Sequence, residues 1–506
     1  MKKVLTPERM GEADRAAIAS GIPSFSLMTR AGREVGRAAV RVMGGIYGRR
    51  VVIICGKGNN GGDGLVAASY LTKLGALCRV DTIEDPDAMK GDARRALDLF
   101  GVEQTRRFVP SNLERELERA DLVIDAIMGT GFKGTLSGPA AEAVGLIESA
   151  GIPVVSVDIP SGVDGRTGRV EGPAVRADVT VTFGALKPGL LLQPGIQHAG
   201  AVEVVDIGIP TELLAEDLQL VEPSDVAELL PPRPLGAHKR SVGKVLVVAG
   251  HPGMAGAAAL AALGALRTGA GLVRTAVPES IAAGLDVAIL ESLTVALPEN
   301  REGGLRQEAV DQVLELAAQA NVLAVGPGLS RDEETLKCVH RILDEVDIPI
   351  VLDAEGVNAF AGRAQDLRTR KAPTVLTPHS GELSRLLGTT ATQIDGDRVS
   401  AALEGARVTG ATLLLKGFGT VVANPQGEAV LVGRGGPVLA TGGTGDVLTG
   451  VIAALATSND PFKAAWGGAY LHGAAGEVLA ESVGDRGVIA GDLLDVIPHV
   501  IAEVRS

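Results

Sequence analysis

The sequence predicts two α/β domains in tandem, a doubly wound parallel sheet at the N-terminus followed by a second α/β domain. Three observations carry this. Continuous apolar runs of strand length recur along the chain and alternate with amphipathic stretches, as in parallel sheets covered by helices on both faces. Many of the 67 glycines stand at the ends of those runs, where turns bring backbone close to a ligand. Midway, TELLAEDLQLVEPSDVAELLPPRPLGAHKR replaces strand signals with charge and a proline cluster. A chain of 506 residues exceeds one core, and a prior of roughly 150 residues per domain allows two to four. With one interruption, the expectation is two domains, residues 1–215 and 225–506, with their boundary near residues 212–236.

The elements follow in order. After an N-terminal helical segment come VVIIC from residue 51, CRVDTI from 78, LVIDAIMG from 122, VVSVDIP from 154, VTFGA from 180 and VEVVDIG from 202. A second series begins at VGKVLVVAG from 242. It continues through LVRTAV, VLAVGPG, IPIVLDAEG, TVLTPHSGE and TLLLKG to a helix-forming region after GGTGD. The Ala/Gly-rich run from Ala255 to Val273 is broken by Arg267 and too weakly apolar to span a membrane. The start, MKKVLTPERMGEADRAA, lacks the apolar core of a signal peptide, so a cytoplasmic protein is expected.

Composition excludes several classes. With 46% hydrophobic and 22% charged residues the chain is globular. A net charge of -13 and only 2% aromatics leave neither the basic surface nor the stacking platforms of a nucleic-acid binder. Cys55, Cys78 and Cys338 lie far apart and form no CxxC pair, which points to a reducing compartment. The seven histidines show no zinc-ligand spacing. Small-molecule chemistry is the expectation.

In the first domain, GKGNNGGDG follows the first strand. Gly56, Gly58 and Gly61 satisfy the dinucleotide pattern GxGxxG, and Asp81 lies where such a motif places its ribose-binding acid. That is the pattern of a dehydrogenase. Asp63, however, puts a carboxylate where a pyrophosphate would rest and would compete for the helix N-terminus; the phosphates are therefore expected at GTGFKG, beside Lys133. Asp63, Asp125 and Asp158 come from three separate segments to one sheet edge, where their repulsion calls for a cation, a hydrogen-bonding ligand or raised pKa values. As single residues they have plainer readings: Asp63 as a helix cap, Asp158 with Ser161 as the closure of a proline turn. Asn60, Ser161 and Asp125 together form a hard oxygen set suited to an alkali metal rather than zinc. Lys187, in FGALKPG, is expected to be a solvated strand-end lysine.

In the second domain, PVLATGGTGDVLTGVIAALA sets a glycine turn and Asp446 before an apolar helix. Amides at such a turn can hold a transferring phosphoryl group, and a carboxylate beside them can accept a hydroxyl proton. Neither a GxxxxGK[ST] loop nor the protein-kinase motifs are present. KGFGT, residues 416–420, is a second turn suited to nucleotide phosphates. Asp446 as an ordinary N-cap is the structural alternative.

These motifs carry a resemblance. NNGGDG, DAIMGTGFKG, VDIPSGVDGRTG and FGALKPG, in this order over about the first 210 residues, look like the epimerase domain of NAD(P)H-hydrate repair enzymes, a Rossmann-like domain. HKRSVGKVLVVAG, GPGL, TPHSGE, KGFGT and GTGD, over about residues 230–500, look like the NAD(P)H-hydrate dehydratase branch of the ribokinase-like superfamily. His251 and Arg240 depart from the residues common at their positions. The resemblance implies that Asn59, Asn60, Gly61, Gly62 and Asp63, with Gly129, Thr130, Gly131, Phe132, Lys133, Gly134, Thr135 and Asp158, bind the damaged nucleotide. It implies that Asn60, Asp125 and Ser161 hold potassium. In the second domain it implies that Ala257, Gly328, His379 and Asp446 contact the hydrate, and that Lys416, Gly417, Phe418, Gly419, Thr420 and Gly445 bind ADP with magnesium. Asp446 and Asp158 are the expected catalytic residues. A homo-oligomer without nucleic-acid or membrane partners is also implied. Two rivals stay open: a dehydrogenase domain fused to a hydroxymethylpyrimidine- or thiazole-type kinase, and a nucleotide-binding module without catalysis.

Overall fold

Residues Arg50–Cys55 (β1) are buried from Val51 onward, and that apolar run is why they form a central strand. In the computed structural model, which describes residues 1–215 and 218–506, the chain forms two compact units, Lys2–Leu218 and Gln219–Ser506. Residues 216 and 217, inside the expected linker, lie outside the described residues.

In the first unit two helices precede β1. After it come helix α1 (Asn59–Lys73), β2 (Leu77–Thr82), α2 (Gly91–Phe100), β3 (Thr105–Arg107), β4 (Leu122–Ala126), β5 (Val154–Val157), β6 (Val179–Phe183) and β7 (Ala201–Val205). The sheet order is β3-β2-β1-β4-β5-β6-β7 and every pairing is parallel. The order reverses between β1 and β4, so a crevice opens at the carboxyl ends of those two strands. β3 was not expected, because TRR has no apolar run to mark it. Asp125, expected just after its strand, lies inside β4 and is fully buried.

The second unit runs through β8 (Lys244–Val248), α3 (Ala255–Thr268), β9 (Leu272–Pro278), β10 (Leu293–Leu297), β11 (Val322–Val325), β12 (Ile350–Leu352), β13 (Thr374–Leu376), α4 (Ser380–Leu387), α5 (Arg398–Thr409) and β14 (Thr412–Leu415). An antiparallel hairpin, β15 (Thr420–Ala423) and β16 (Ala429–Val432), follows, and then α6 (Thr444–Leu455) and α7 (Pro461–Val483). The strands run β16-β15-β14-β13-β12-β11-β8-β9-β10, parallel except at the hairpin and its join to β14. β10 and the hairpin were not expected; KGFGT, read as a phosphate loop, turns directly into β15.

The Ala/Gly-rich run forms α3, which packs against α6 within the main core. Among the described residues no helix is long and apolar enough to cross a membrane. The two helices approach so closely that a methyl on Gly450 would collide with the carbonyl oxygen of Ala261, and one on Gly264 with that of Val447. Overpacking of this kind costs about 1–3 kcal/mol. Gly450→Ala is therefore expected to lower the Tm measured by circular dichroism, and an unchanged Tm would mean the helices have room to part.

Candidate functional site

At the crevice of the first unit lies a cavity of about 530 Å³. Gly56 to Asn60 and Asp63 line one side and Ile127 to Phe132 another, with Asp14, Asp158, Phe183 and Lys187 also in the wall. The glycines serve close approach: a methyl on Gly56 would strike the Ile127 carbonyl, and one on Gly61 the Gly56 carbonyl. Of the residues expected to bind the nucleotide, Gly61 and Gly62 shape the turn from behind. Lys133, Gly134 and Thr135 lie outside the cavity wall, and Lys133 is an exposed partner of Glu8 at 3.0 Å.

Asp63 corrects the sequence reading. The helix cap of α1 is Gly58, and Asp63 sits in the second turn, buried. Burial first, then the charges of Asp158 and Asp14, push its pKa well above the carboxylate range. A carboxyl in that position is no competitor at the helix N-terminus, so the reason for moving the phosphates to Lys133 falls away. Asp14, a cavity residue the sequence did not single out, is raised by burial as well.

Lys187 is the second correction. Expected in solvent, it is fully buried, and its Nζ donates to Asp158 Oδ1 at 2.7 Å, to Thr182 Oγ1 at 2.9 Å and to the Phe183 carbonyl at 2.8 Å. Asp158 Oδ1 also accepts from Thr182 Oγ1 at 3.0 Å. Asp158 has φ of 65°, a left-handed backbone that costs a non-glycine residue of order 1–3 kcal/mol and tends to mark functional sites. Lys187 thus holds the carboxylate directly and also through Thr182, and spends its remaining donor on the Phe183 carbonyl.

Of the residues expected to hold potassium, Asp125 and Ser161 are bonded to one another. Asp125 accepts from Ser161 Oγ at 2.5 Å, Ser161 N at 2.9 Å and Ser156 Oγ at 2.9 Å. Its pKa is raised by burial against those bonds, and no basic side chain is among its partners. The Asn60 amide nitrogen is buried without a partner, and its Oδ1 faces Gly129, where no side chain intrudes. A buried carboxylate compensated only by neutral donors fits a monovalent cation held by oxygen, to which Asn60 could offer only its Oδ1.

In the second unit the carboxyl ends of β12 and β13 and the start of α6 converge. The cap of α6 is Gly443, and Asp446 stands in its first turn making no capping hydrogen bond, so the plain N-cap reading does not hold. Burial, then the charge of Asp353, push its pKa up to about 6. Lys416 Nζ donates to Asp353 Oδ1 at 2.6 Å and lies 3.5 Å from where a side chain on Gly445 would begin. Burial opposes its charge, yet Asp353 and Glu382 together hold its pKa above the ordinary value. Lys416 is thus anchored at the helix start rather than free in the turn.

Asp353 was not foreseen. It is buried; its Oδ1 accepts from Thr377 Oγ1 at 2.8 Å and its Oδ2 from Thr449 Oγ1 at 2.8 Å. The following Ala354 has φ of 47°, and with Asp158 it makes up the non-glycine residues of positive φ among those described. Arg398, buried beneath Gly417, donates to the carbonyls of Leu415 and Lys416 and fixes the KGFGT turn. Buried His472, its pKa pushed down to about 4 by burial, meets the Thr444 carbonyl at 2.9 Å. Ala257 and Gly328 pack against one another, and His251 Nδ1 lies 2.8 Å from the Gly328 carbonyl. His379 caps α4, accepting from Gly381 N at 3.0 Å, with its ring half exposed. Among the described residues no group of three histidine, cysteine or acidic side chains is arranged to hold a metal.

Comparisons with known proteins match both units. The family model described as YjeF-related protein N-terminus covers residues 24–189, and that described as NAD(P)H-hydrate dehydratase covers residues 245–499. The bifunctional NAD(P)H-hydrate repair enzyme Nnr of Moorella thermoacetica is 45% identical over 99% of this chain and 97% of its own length. The enzyme of the same name from Escherichia coli is 33% identical over 97% of this chain and 92% of its own. The solved ADP/ATP-dependent NAD(P)H-hydrate dehydratase of Bacillus subtilis, co-crystallised with ATP and Mg2+, has a TM-score of 0.50 at 32% identity, covering 57% of this chain and 100% of that one.

Proposed function

The chain belongs to the bifunctional NAD(P)H-hydrate repair enzyme family, and from that premise we propose which residues carry each half of the repair. Hydration of the reduced nicotinamide ring puts a hydroxyl on carbon 6, beside the ring nitrogen, as R and S epimers. The enzyme interconverts the epimers and dehydrates the S form to NADH or NADPH. Epimerisation is assigned to residues 1–215 and dehydration to residues 225–506.

In dehydration, Asp446 takes the proton of the carbon-6 hydroxyl as it attacks the terminal phosphoryl of ADP, and AMP leaves. The amides at the start of α6 and the Lys416 ammonium stabilise the charge developing on the phosphoryl oxygens. The nitrogen lone pair then expels phosphate to leave an iminium, and loss of a proton from carbon 5 restores the carbon 5–carbon 6 double bond of the reduced ring. Magnesium accompanying the nucleotide would offset the charge of its phosphates; the Bacillus subtilis relative was crystallised with ATP and Mg2+. Gly417 to Thr420 and Gly445 cradle the nucleotide, and Ala257, Gly328 and His379 meet the hydrate.

In epimerisation, hydroxide leaves carbon 6 to give an iminium, and water returns on the other face. Asp158, aimed by Lys187, exchanges the proton with the departing and returning oxygen, and Asp63, whose pKa burial and the charges of Asp158 and Asp14 raise, is a second acid lining the same cavity. Asn60 through its Oδ1, Asp125 and Ser161 would hold potassium, which would supply positive charge beside the bound nucleotide.

The observation that carries this reading is an Asp446 carboxylate that does not cap its own helix yet stands beside Lys416 at the helix start. A dehydrogenase fused to a small-molecule kinase is not favoured, because the relatives that match end to end are repair enzymes. The test supplies a mixed R/S hydrate with ADP and magnesium and follows absorbance of the reduced ring. Full recovery of both epimers is expected. Recovery that halts at the S fraction would remove the epimerase assignment, and none at all would remove the dehydratase assignment.

A further inference from the structure

Three parallel neighbours in the second sheet, β12, β13 and β14, end side by side, and the residue after each comes to one spot: Asp353, Thr377 and Lys416. Asp353 is buried, and its Oδ1 accepts from Thr377 Oγ1 at 2.8 Å and from Lys416 Nζ at 2.6 Å. Its Oδ2 accepts at 2.8 Å from Thr449 Oγ1, on the same helix, α6, that carries Asp446. The Thr449 hydroxyl also lies 3.1 Å from the Gly445 carbonyl. The backbone behind the carboxylate is pinned as well. A methyl on Gly326 would strike the Asp353 carbonyl oxygen, and Ala354 holds a left-handed φ of 47°, which alanine adopts only when its surroundings impose it.

We propose that Asp353 is the positioning residue of the phosphoryl-transfer step, its single carboxylate fixing the helix that bears Asp446 and the turn that bears Lys416 relative to each other. This rests on the dehydratase reading above, in which Asp446 takes the hydroxyl proton and Lys416 steadies the phosphoryl oxygens. Buried with both oxygens engaged inside the protein, Asp353 acts through Lys416 and Thr449 rather than on the substrate. Lys416 carries its charge on a flexible four-carbon stem and needs such an anchor. Its other carboxylate neighbour, Glu382, is 3.8 Å away, beyond hydrogen-bonding distance, so Asp353 sets where the ammonium points. With one N–H on Asp353, the ammonium keeps two for the phosphoryl group. Thr449 carries the same grip to α6, so base, cation and helix amides are held in one register. A positional error of about 1 Å in such an arrangement costs on the order of 100-fold in rate. The charge of Asp353 acts too, since after burial it is what raises the pKa of Asp446, with Lys416 opposing it. His472, which meets the Thr444 carbonyl in the same turn, has its pKa pushed down to about 4 and is neutral above that value.

The test follows recovery of reduced-ring absorbance from purified S-NADHX with ADP and magnesium, in the full chain and as a function of pH. Asp353→Asn is expected to lower kcat about 100-fold. Its residual rate should be level through about pH 6, where the wild type still rises, because without the Asp353 charge Asp446 ionises at lower pH. Thr449→Val keeps every charge and removes one tether. It should lower kcat by up to about 100-fold while the rise stays near pH 6. In both variants R-to-S conversion of NADHX should run at the wild-type rate, and thermal melts report whether the second unit is folded. A wild-type kcat in either variant, or an Asp353→Asn profile that still rises near pH 6, would overturn the proposal. Should Asp353→Asn fail to fold, Thr449→Val decides alone. Absence of dehydration in the wild type would instead reject the dehydratase reading, and the role of Asp353 with it.

Discussion

Asp446→Ala is expected to cut ADP-dependent dehydration of the S epimer by about 100- to 10,000-fold, the contribution typical of a positioned general base. The readout is recovery of reduced-ring absorbance from purified S-NADHX. Two further observations separate a chemical role from a structural one. The wild-type rate should rise with pH through about 6, where Asp446 loses its proton, and level off above it; Asp446→Asn should show no such rise. Stability should move the other way from activity. The folded-state pKa of Asp446 stands above its ordinary 3.8, so its contribution to stability is fully present below that value and is lost as pH rises through about 6. At pH 7 the alanine variant relieves that cost and should melt no lower than the wild type. A variant with wild-type turnover, or one that loses activity only because it unfolds, would remove Asp446 from the mechanism.

The difference between what was and was not legible in the sequence follows from how far apart the interacting residues are. Strands such as Arg50–Cys55 and Lys244–Val248 announce themselves because a strand buried on both faces is apolar throughout, a purely local signal. Thr105–Arg107 carries no such signal and is held by pairing to Leu77–Thr82. The glycine turns at Gly56 and Gly443 were equally local. Their chemistry was not: Lys187 looks like any strand-end lysine until Asp158, 29 residues away, is brought to it, and Asp353 looks like a turn acid until Lys416, 63 residues on, is paired with it. Asp63 was visible as a residue and misplaced as a role, since the five residues separating it from the Gly58 cap depend on where the helix begins. The motif acid Asp81 fails for the same reason, because Arg106 reaches it from a strand the sequence did not reveal.

In the first unit the corresponding expectation is that Asp158→Asn slows R-to-S conversion by about 100- to 10,000-fold and leaves ADP-dependent dehydration of the S epimer unchanged. The substitution keeps the shape and the oxygen that Lys187, Thr182 and the Phe183 amide can bind, but it cannot exchange a proton with the oxygen at carbon 6. It also leaves the Lys187 ammonium buried without its carboxylate, and breaking a buried ion pair in this way costs about 3–5 kcal/mol. A loss of epimerisation alone could therefore reflect a damaged fold. Lys187→Met in the same chain separates the two: Asp158→Asn with Lys187→Met removes both charges, and should recover stability relative to Asp158→Asn without recovering epimerisation. Thermal melts and chromatographic R/S ratios measured on the single and double variants give the two readouts. Restored epimerisation in the double variant would show that Asp158 acts only through the packing around Lys187, and the proton exchange would then have to be assigned to Asp63 in the same cavity.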